Sequence, residues 1–174
     1  MNFETNKTTK MKRVIIVRHA KAVPYGYEDD FNRDLQERGK KDAKRVSMEC
    51  KNRRILPDVM ISSPAKRALK TARIFAETLG HEKNKIVIKE EIYEGMTTGE
   101  FIDMIRSLPE NASTAFFFGH NPGFFYYVTH LLKHFHEDLP TCAAIGIDFN
   151  VEEWKQVSAG TGDISLRITP KMLK

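Results

Sequence analysis

Val14-Ile15-Ile16-Val17-Arg18-His19 runs through four β-branched apolar residues and stops on an arginine and a histidine, and Phe117-Phe118-Gly119-His120-Asn121-Pro122-Gly123 repeats the design with aromatics. Apolar runs of this kind read as strands buried on both faces, the signature of a parallel sheet covered by helices on either side. The basic residue that ends each run then stands at the sheet's edge. A third stretch, Ser62-Ser63-Pro64-Ala65-Lys66-Arg67-Ala68-Leu69-Lys70-Thr71, opens a helix at such an edge.

Outward from these stretches the pattern predicts strand 12–18, helix 35–51, strand 58–62, helix 64–79, strand 86–89, helix 98–107, strand 114–119 and helix 122–135. Strands 143–150, 154–158 and 163–169 follow, separated by short turns. Strands alternating with helices imply right-handed parallel crossovers, and the closely spaced C-terminal strands imply antiparallel additions. The expected architecture is therefore α/β, a three-layer α/β/α arrangement with a mostly parallel central sheet and antiparallel C-terminal strands. Ser63 before Pro64 and Asn121 before Pro122 are each read as a helix N-cap followed by a proline in the first turn, leaving backbone N–H groups at the sheet edge. Asp34 is read as the cap of the helix starting at Leu35. No linker or repeat divides the chain, so residues 11–174 are expected to form a single domain behind a polar, flexible leader over residues 1–10.

The chain has 174 residues, 41% hydrophobic and 29% charged, which are ordinary values for a soluble globular protein. No apolar run approaches the roughly 20 residues needed to cross a bilayer. The net charge of +5 arises from basic residues dispersed among acids, so attraction of anionic substrates is a sufficient reading and nucleic acid is not expected as a partner. Cys50 and Cys142 form neither a disulfide framework nor a metal-ligand spacing and are read as small buried hydrophobes, consistent with a reducing cytoplasm. His130 and His134 would share a helix face at i, i+4. Without a glutamate or cysteine cluster beside them they read as a polar face, and no metal or organic cofactor is implied.

Ligands of open α/β sheets bind beyond the carboxyl ends of strands, where the winding reverses, so Arg18, His19, Arg67 and His120 could meet in one crevice. Two imidazoles and two guanidiniums suit a phosphoryl group in transfer: the cations spread over its equatorial oxygens while a neutral ring nitrogen attacks phosphorus. To attack, His19 must keep one nitrogen unprotonated, with the other held by a partner such as a backbone carbonyl after the strand. The bland alternatives are a core or capping histidine for His19 and His120 and surface ion pairs for Arg18 and Arg67.

Taken in order, Arg18-His19, the Ser-Ser-Pro-x-x-Arg-Ala-x-x-Thr segment and Gly119-His120-Asn121-Pro122 resemble the histidine phosphatase superfamily, and within it the SixA-type phosphohistidine phosphatases. Arg33-Asp34-Leu35-Gln36-Glu37-Arg38-Gly39 is similar to the family's Arg-Pro-Leu-Thr-x-x-Gly segment, with Asp34 and Gln36 departing from it; loop 20–34 would rim the pocket. The resemblance implies a phosphoglycerate mutase-like fold and a transiently phosphorylated His19. It further implies Arg18, Arg67, Arg33 and Asn121 around the phosphate, and His120 as a donor to the phosphoryl oxygens. Larger relatives use a glutamate as proton donor, and Glu94 is the nearest match here; a solvated loop residue is the competing reading. Arg33 could instead pair with Asp29 or Asp30.

These readings converge on a cytoplasmic phosphatase acting on a phosphorylated protein of the histidine phosphotransfer type. A phosphatase of small phosphate esters and a catalytically silent phosphate-binding or interaction module are the alternatives.

Overall fold

The computed structural model describes residues 11–26 and 29–174; the leader expected over residues 1–10 lies outside the described residues. Six strands form one sheet in the order β3-β2-β4-β1-β5-β6: β1 Lys12–Arg18, β2 Val59–Ser62, β3 Val87–Ile88, β4 Thr114–Gly119, β5 Ala144–Phe149 and β6 Asp163–Ile168. Pairs β1–β4, β2–β4 and β2–β3 are parallel, while β5 joins β1 and β6 joins β5 antiparallel. The sheet is thus mostly parallel on one side with an antiparallel extension on the other, as the sequence predicts.

Because successive side chains of a strand face opposite ways, β1 serves two cores at once. Val14 and Ile16 join Phe117, Phe101, Ile105, Phe124, Val128 and Trp154 on one face. Ile15 and Val17 join Phe116, Phe118, Val46, Ala72 and Phe75 on the other. Helices α1 (Glu37–Asn52) and α2 (Lys66–Leu79) cover the second face; α4 (Thr98–Arg106) and α5 (Gly123–Leu131) cover the first. The helices that follow β1 and β4 therefore leave toward opposite sides, which opens a crevice between the ends of these neighbouring strands. Cys50 and Cys142 are both fully buried, and burial pushes the Cys50 thiol up to about 12.

Several boundaries differ from the pattern for identifiable reasons. The expected strand 154–158 is a single 3-10 turn, Trp154–Gln156, closed by reciprocal bonds between Glu153 and Gln156. Its fully buried Trp154 donates Nε1–H to the carbonyls of Ala112 and Pro109, so this segment plugs the core instead of extending the sheet. Helix α5 ends at Leu131, short of residue 135. There Leu132 turns extended and bridges Gly162, and Lys133 N–H binds the Gly162 carbonyl. His134 is consequently off the helix, and the His130–His134 face does not exist; His130 Nδ1 lies 2.7 Å from Thr98 Oγ1. Helix α1 starts at Glu37, not Leu35, because Asp34 accepts from the Leu35 N–H while its carboxylate pairs with Lys66 and Lys70. A short helix, α3, covers Glu90–Glu94, where the pattern predicts no element.

The base of loop 20–34 is tied to α1 by Gln36 N–H on the Lys21 carbonyl and by a bridge between Ala22 and Leu35. Gly39, on the first turn of α1, lies against this same Lys21 carbonyl so closely that a Cβ would overlap it. The opposing group is backbone and cannot swing aside. Gly39→Ala is accordingly expected to destabilise the protein by about 1–3 kcal/mol or more, read from the midpoint of urea unfolding at unchanged m-value.

Candidate active site

The register Arg18↔Gly119 across β1 and β4 places the next residues, His19 and His120, at the same height beyond the sheet. The His19 N–H continues the ladder to the Gly119 carbonyl at 2.9 Å, and the Ser63 N–H does the same to Phe118 at 3.0 Å. Three strand ends are thereby held level. The imidazole centroids of His19 and His120 lie 5.3 Å apart. Gly119 has no alternative in this turn, since a Cβ would overlap the Phe124 ring and Ile92.

A cavity of about 650 Å³ opens above these ends, lined by Arg18, His19, Arg33, Arg67, Glu94, His120 and Asn121 together with Lys21, Asp30, Tyr93 and Thr141. All seven residues singled out in the sequence thus face one space. Arg67 is buried at the second position of α2, and Arg18 and His120 are half-buried. Glu94 is exposed at the end of α3 and makes no side-chain hydrogen bond among the described residues.

Each ring nitrogen of the two histidines has a defined setting. His19 Nδ1 donates to the carbonyl of Ala20 at 2.8 Å, which leaves Nε2 with its lone pair. Ala20 is fixed in turn by its N–H on Thr71 Oγ1, and Thr71 donates to the Arg67 carbonyl one turn back. His120 Nε2 lies 2.7 Å from Ser63 Oγ, which also accepts the Ala65 N–H. The hydroxyl proton of Ser63 has no other acceptor among the described residues, so we assign it to Nε2, which puts the His120 proton on Nδ1. That Nδ1 is buried without a partner, as are Arg18 Nε and Arg67 Nε. Unpaired N–H donors beside one cavity match an oxyanion.

Burial, with the charges of Arg67, Arg18 and Arg33 behind it, depresses the His19 pKa to about 4. Burial and Arg67 depress that of His120 to about 3. Both rings are neutral near pH 7, the state a nucleophile requires.

Other assignments shift. Asn121 does not cap α5, whose N-cap is Pro122; its Nδ2 donates to the Leu139 carbonyl, which also receives Arg18 Nη1. Ser63 caps no helix either, since α2 begins at Lys66 and Ser63 holds only the turn before it. Arg33 pairs with Asp30 and not with Asp29, and donates Nη1 to the Val23 carbonyl.

Asp30 holds a larger place in the site than that of a partner of Arg33 alone. Its carboxylate receives Arg67 Nη2 and the Tyr93 hydroxyl, both at 3.0 Å, while Arg67 Nη1 binds its carbonyl at 2.6 Å. Burial raises the Asp30 pKa, but hydrogen bonds from Tyr93, Arg33 and Arg67 overcome it and hold the group below its usual value. Part of the Arg67 fork is therefore occupied by an internal anion. The spacing of Arg67 and Thr71 at i, i+4 was visible in the sequence; the approach of Asp30 and Tyr93 was not.

A family model described as histidine phosphatase superfamily (branch 1) matches residues 14–122. The chain belongs to the histidine phosphatase superfamily. Phosphoserine phosphatase 1 of Hydrogenobacter thermophilus is 39% identical over 109 residues, covering 58% of this chain and 49% of that protein. The mitochondrial serine/threonine-protein phosphatase Pgam5 of Drosophila ananassae is 32% identical over 94 residues, covering 54% of the chain and 32% of that protein. The chain thus spans about half or less of the length of these curated relatives. The fold is also that of the protein histidine phosphatase SixA, solved with tungstate: TM-score 0.80 at 20% identity, over 93% of this chain and 99% of that one. Among the described residues no helix is long and apolar enough to cross a membrane, and no group of three or more His, Cys, Asp or Glu is placed to hold a metal ion.

Two outcomes follow for this superfamily member. Because both folded histidine values lie below the ordinary 6.5, the unfolded chain takes up protons first, and these rings withdraw stability as pH falls from about 6.5 toward 4 and 3. Imidazole ¹⁵N spectra should show both rings neutral at pH 6 with His19 protonated on Nδ1, and inorganic phosphate should raise the pH at which they charge; a His19 midpoint near 6.5 would contradict the depression by burial and the neighbouring arginines. Asp30→Asn removes the competing charge from Arg67 and should tighten inhibition by inorganic phosphate roughly fivefold, measured as Ki.

Proposed function

We propose that the protein is a phosphohistidine phosphatase that works through a phosphorylated His19. The carrying observation is the pair of neutral, level imidazoles 5.3 Å apart, in one cavity with Arg18 and Arg67. In the first step His19 Nε2 attacks phosphorus, the bond to the departing substrate nitrogen breaks, and the phosphoryl group transfers to His19. Arg18, Arg67 and the Nδ1–H of His120 carry the charge of the equatorial oxygens, and Arg33 and Asn121 border the same site. Water then attacks the phosphohistidine, releasing inorganic phosphate and restoring the ring. No step calls on a metal or organic cofactor.

A departing imidazole nitrogen needs less help from an acid than an alkoxide does. The exposed position of Glu94 fits such a substrate, and the SixA fold supports the reading. A phosphorylated protein of the histidine phosphotransfer type is the substrate class proposed, in a cytoplasmic setting. A second reading, hydrolysis of small phosphate esters, draws on the similarity to phosphoserine phosphatase 1 and on Glu94 at the cavity's rim as proton donor to an alkoxide.

Mixing with a ³²P-labelled phosphohistidine donor, followed by a quench that avoids acid, is expected to label the wild type and leave His19→Ala unlabelled. Label retained on the variant would remove His19 from the role. Arg67→Lys should lose roughly 10²-fold in kcat, since an ammonium cannot replace the planar fork. Glu94→Gln separates the two substrate readings: the first expects unchanged phosphohistidine hydrolysis, and the second expects a loss of about 10²-fold on phosphoserine as the preferred substrate.

A further inference from the structure

Beside the catalytic cavity lies a second hollow of about 550 Å³, and Thr141 lines both. That hollow shares Arg38, Asp42, Pro170 and Lys171 with a third, of about 340 Å³. The three hollows therefore adjoin one another in sequence, from the phosphoryl site past Thr141 to the outer face of α1 and the C-terminal turn Pro170–Leu173, and we treat them together as one groove.

Its outer part is strongly basic. Arg38, Lys41 and Arg45 recur at i, i+3 and i+7 on one face of α1, and Lys171 stands opposite on the C-terminal turn. All four are exposed. Arg38 has a distant partner in Asp42 at 3.9 Å, whereas Lys41, Arg45 and Lys171 take part in no ion pair among the described residues. Nearer the catalytic cavity, Arg167 is neutralised by Glu137 and Asp138. Cations that lie along one depression without internal partners repel one another and raise the local potential, a charge pattern that an acidic ligand complements. Exposed lysines and arginines elsewhere among the described residues divide between paired ones, such as Arg53 with Glu49, and unpaired ones, such as Lys51 and Lys89; what distinguishes this groove is that its unpaired cations converge on one depression.

We propose that this groove docks an acidic stretch of the polypeptide that carries the phosphoryl group, which rests on the reading of the site as a phosphatase of phosphorylated proteins. The phosphorylated side chain enters between His19 and His120 while neighbouring carboxylates of the same protein lie along Lys171, Lys41 and Arg45. A small phosphate ester has no part long enough to reach them. Substrate choice is thus made outside the chemical site, by charge.

The test uses the full chain and Lys41→Glu/Arg45→Glu/Lys171→Glu, none of which touches the catalytic cavity. Fluorescence anisotropy with a labelled, unphosphorylated Glu-rich peptide should show binding to wild type at about 20 mM salt, at least about tenfold weaker in the triple variant and largely lost by about 0.3 M salt. In parallel, two phosphohistidine peptides differing only in Glu or Gln flanks are compared by kcat/KM. Wild type should favour the Glu-flanked peptide about tenfold and the variant should not, while both hydrolyse p-nitrophenyl phosphate equally, which certifies the variant's fold. Equal binding of the Glu-rich peptide by the two proteins, or equal turnover of both phosphopeptides by wild type, overturns the groove. If neither phosphohistidine peptide is hydrolysed yet the Glu-rich peptide still binds wild type alone, the groove stands as an acidic-peptide site and the phosphohistidine reading falls.

Discussion

The parallel pairing of β1 with β4 is the constraint on which the site depends. Its register sets Arg18 opposite Gly119, so the following histidines emerge level from adjacent strands although the chain between them winds through four helices and two other strands. A shift of one residue in that ladder would turn Ile15 and Val17 from one core into the other and carry both imidazoles out of alignment. The two apolar faces thus enforce the chemistry indirectly: burial of β1 and β4 on both sides fixes the register, and the register fixes the distance between the rings.

The electrostatics follow from where those strand ends stop. The rings are buried enough to lose hydration, and nearby guanidiniums penalise a proton on each, those of Arg67, Arg18 and Arg33 on His19 and those of Arg67 and Arg33 on His120. Arg67 and Arg33 need a counter-charge in the folded protein, and Asp30 supplies it from the loop after β1. Tyr93 fixes that carboxylate from the opposite wall, reaching it from a five-residue helix. Neutral rings and engaged arginines are thus two sides of one balance.

The architecture was legible because it rests on runs of apolar residues, and those runs end where the strands end: the expected strands 12–18 and 114–119 coincide with β1 and β4. The site's main members were legible for the same reason, since a basic residue directly after a buried strand has one place to go. Features decided by pairing between remote segments were not. Asp30 meets Arg67 across 37 positions of sequence; a local pattern carries no trace of that. Trp154 and Val157 resemble strand residues, but a fully buried indole that needs two carbonyls draws its segment into a turn. The helical pattern past Leu131 was overruled by Gly162, thirty residues on, which captures the chain as a bridge.

The carboxylate resting in the Arg67 fork has a consequence for life in an ionic background. Chloride and other weakly held monovalent anions meet a fork already partly held by a tethered competitor whose effective concentration is high, so they gain little by entering. On the proposed reading, a doubly charged phosphoryl group, able to engage Arg18 and the His120 N–H as well, has the stronger claim. On that reading the site favours a doubly charged group over the commonest ions around it, and discrimination by valence precedes any reading of shape.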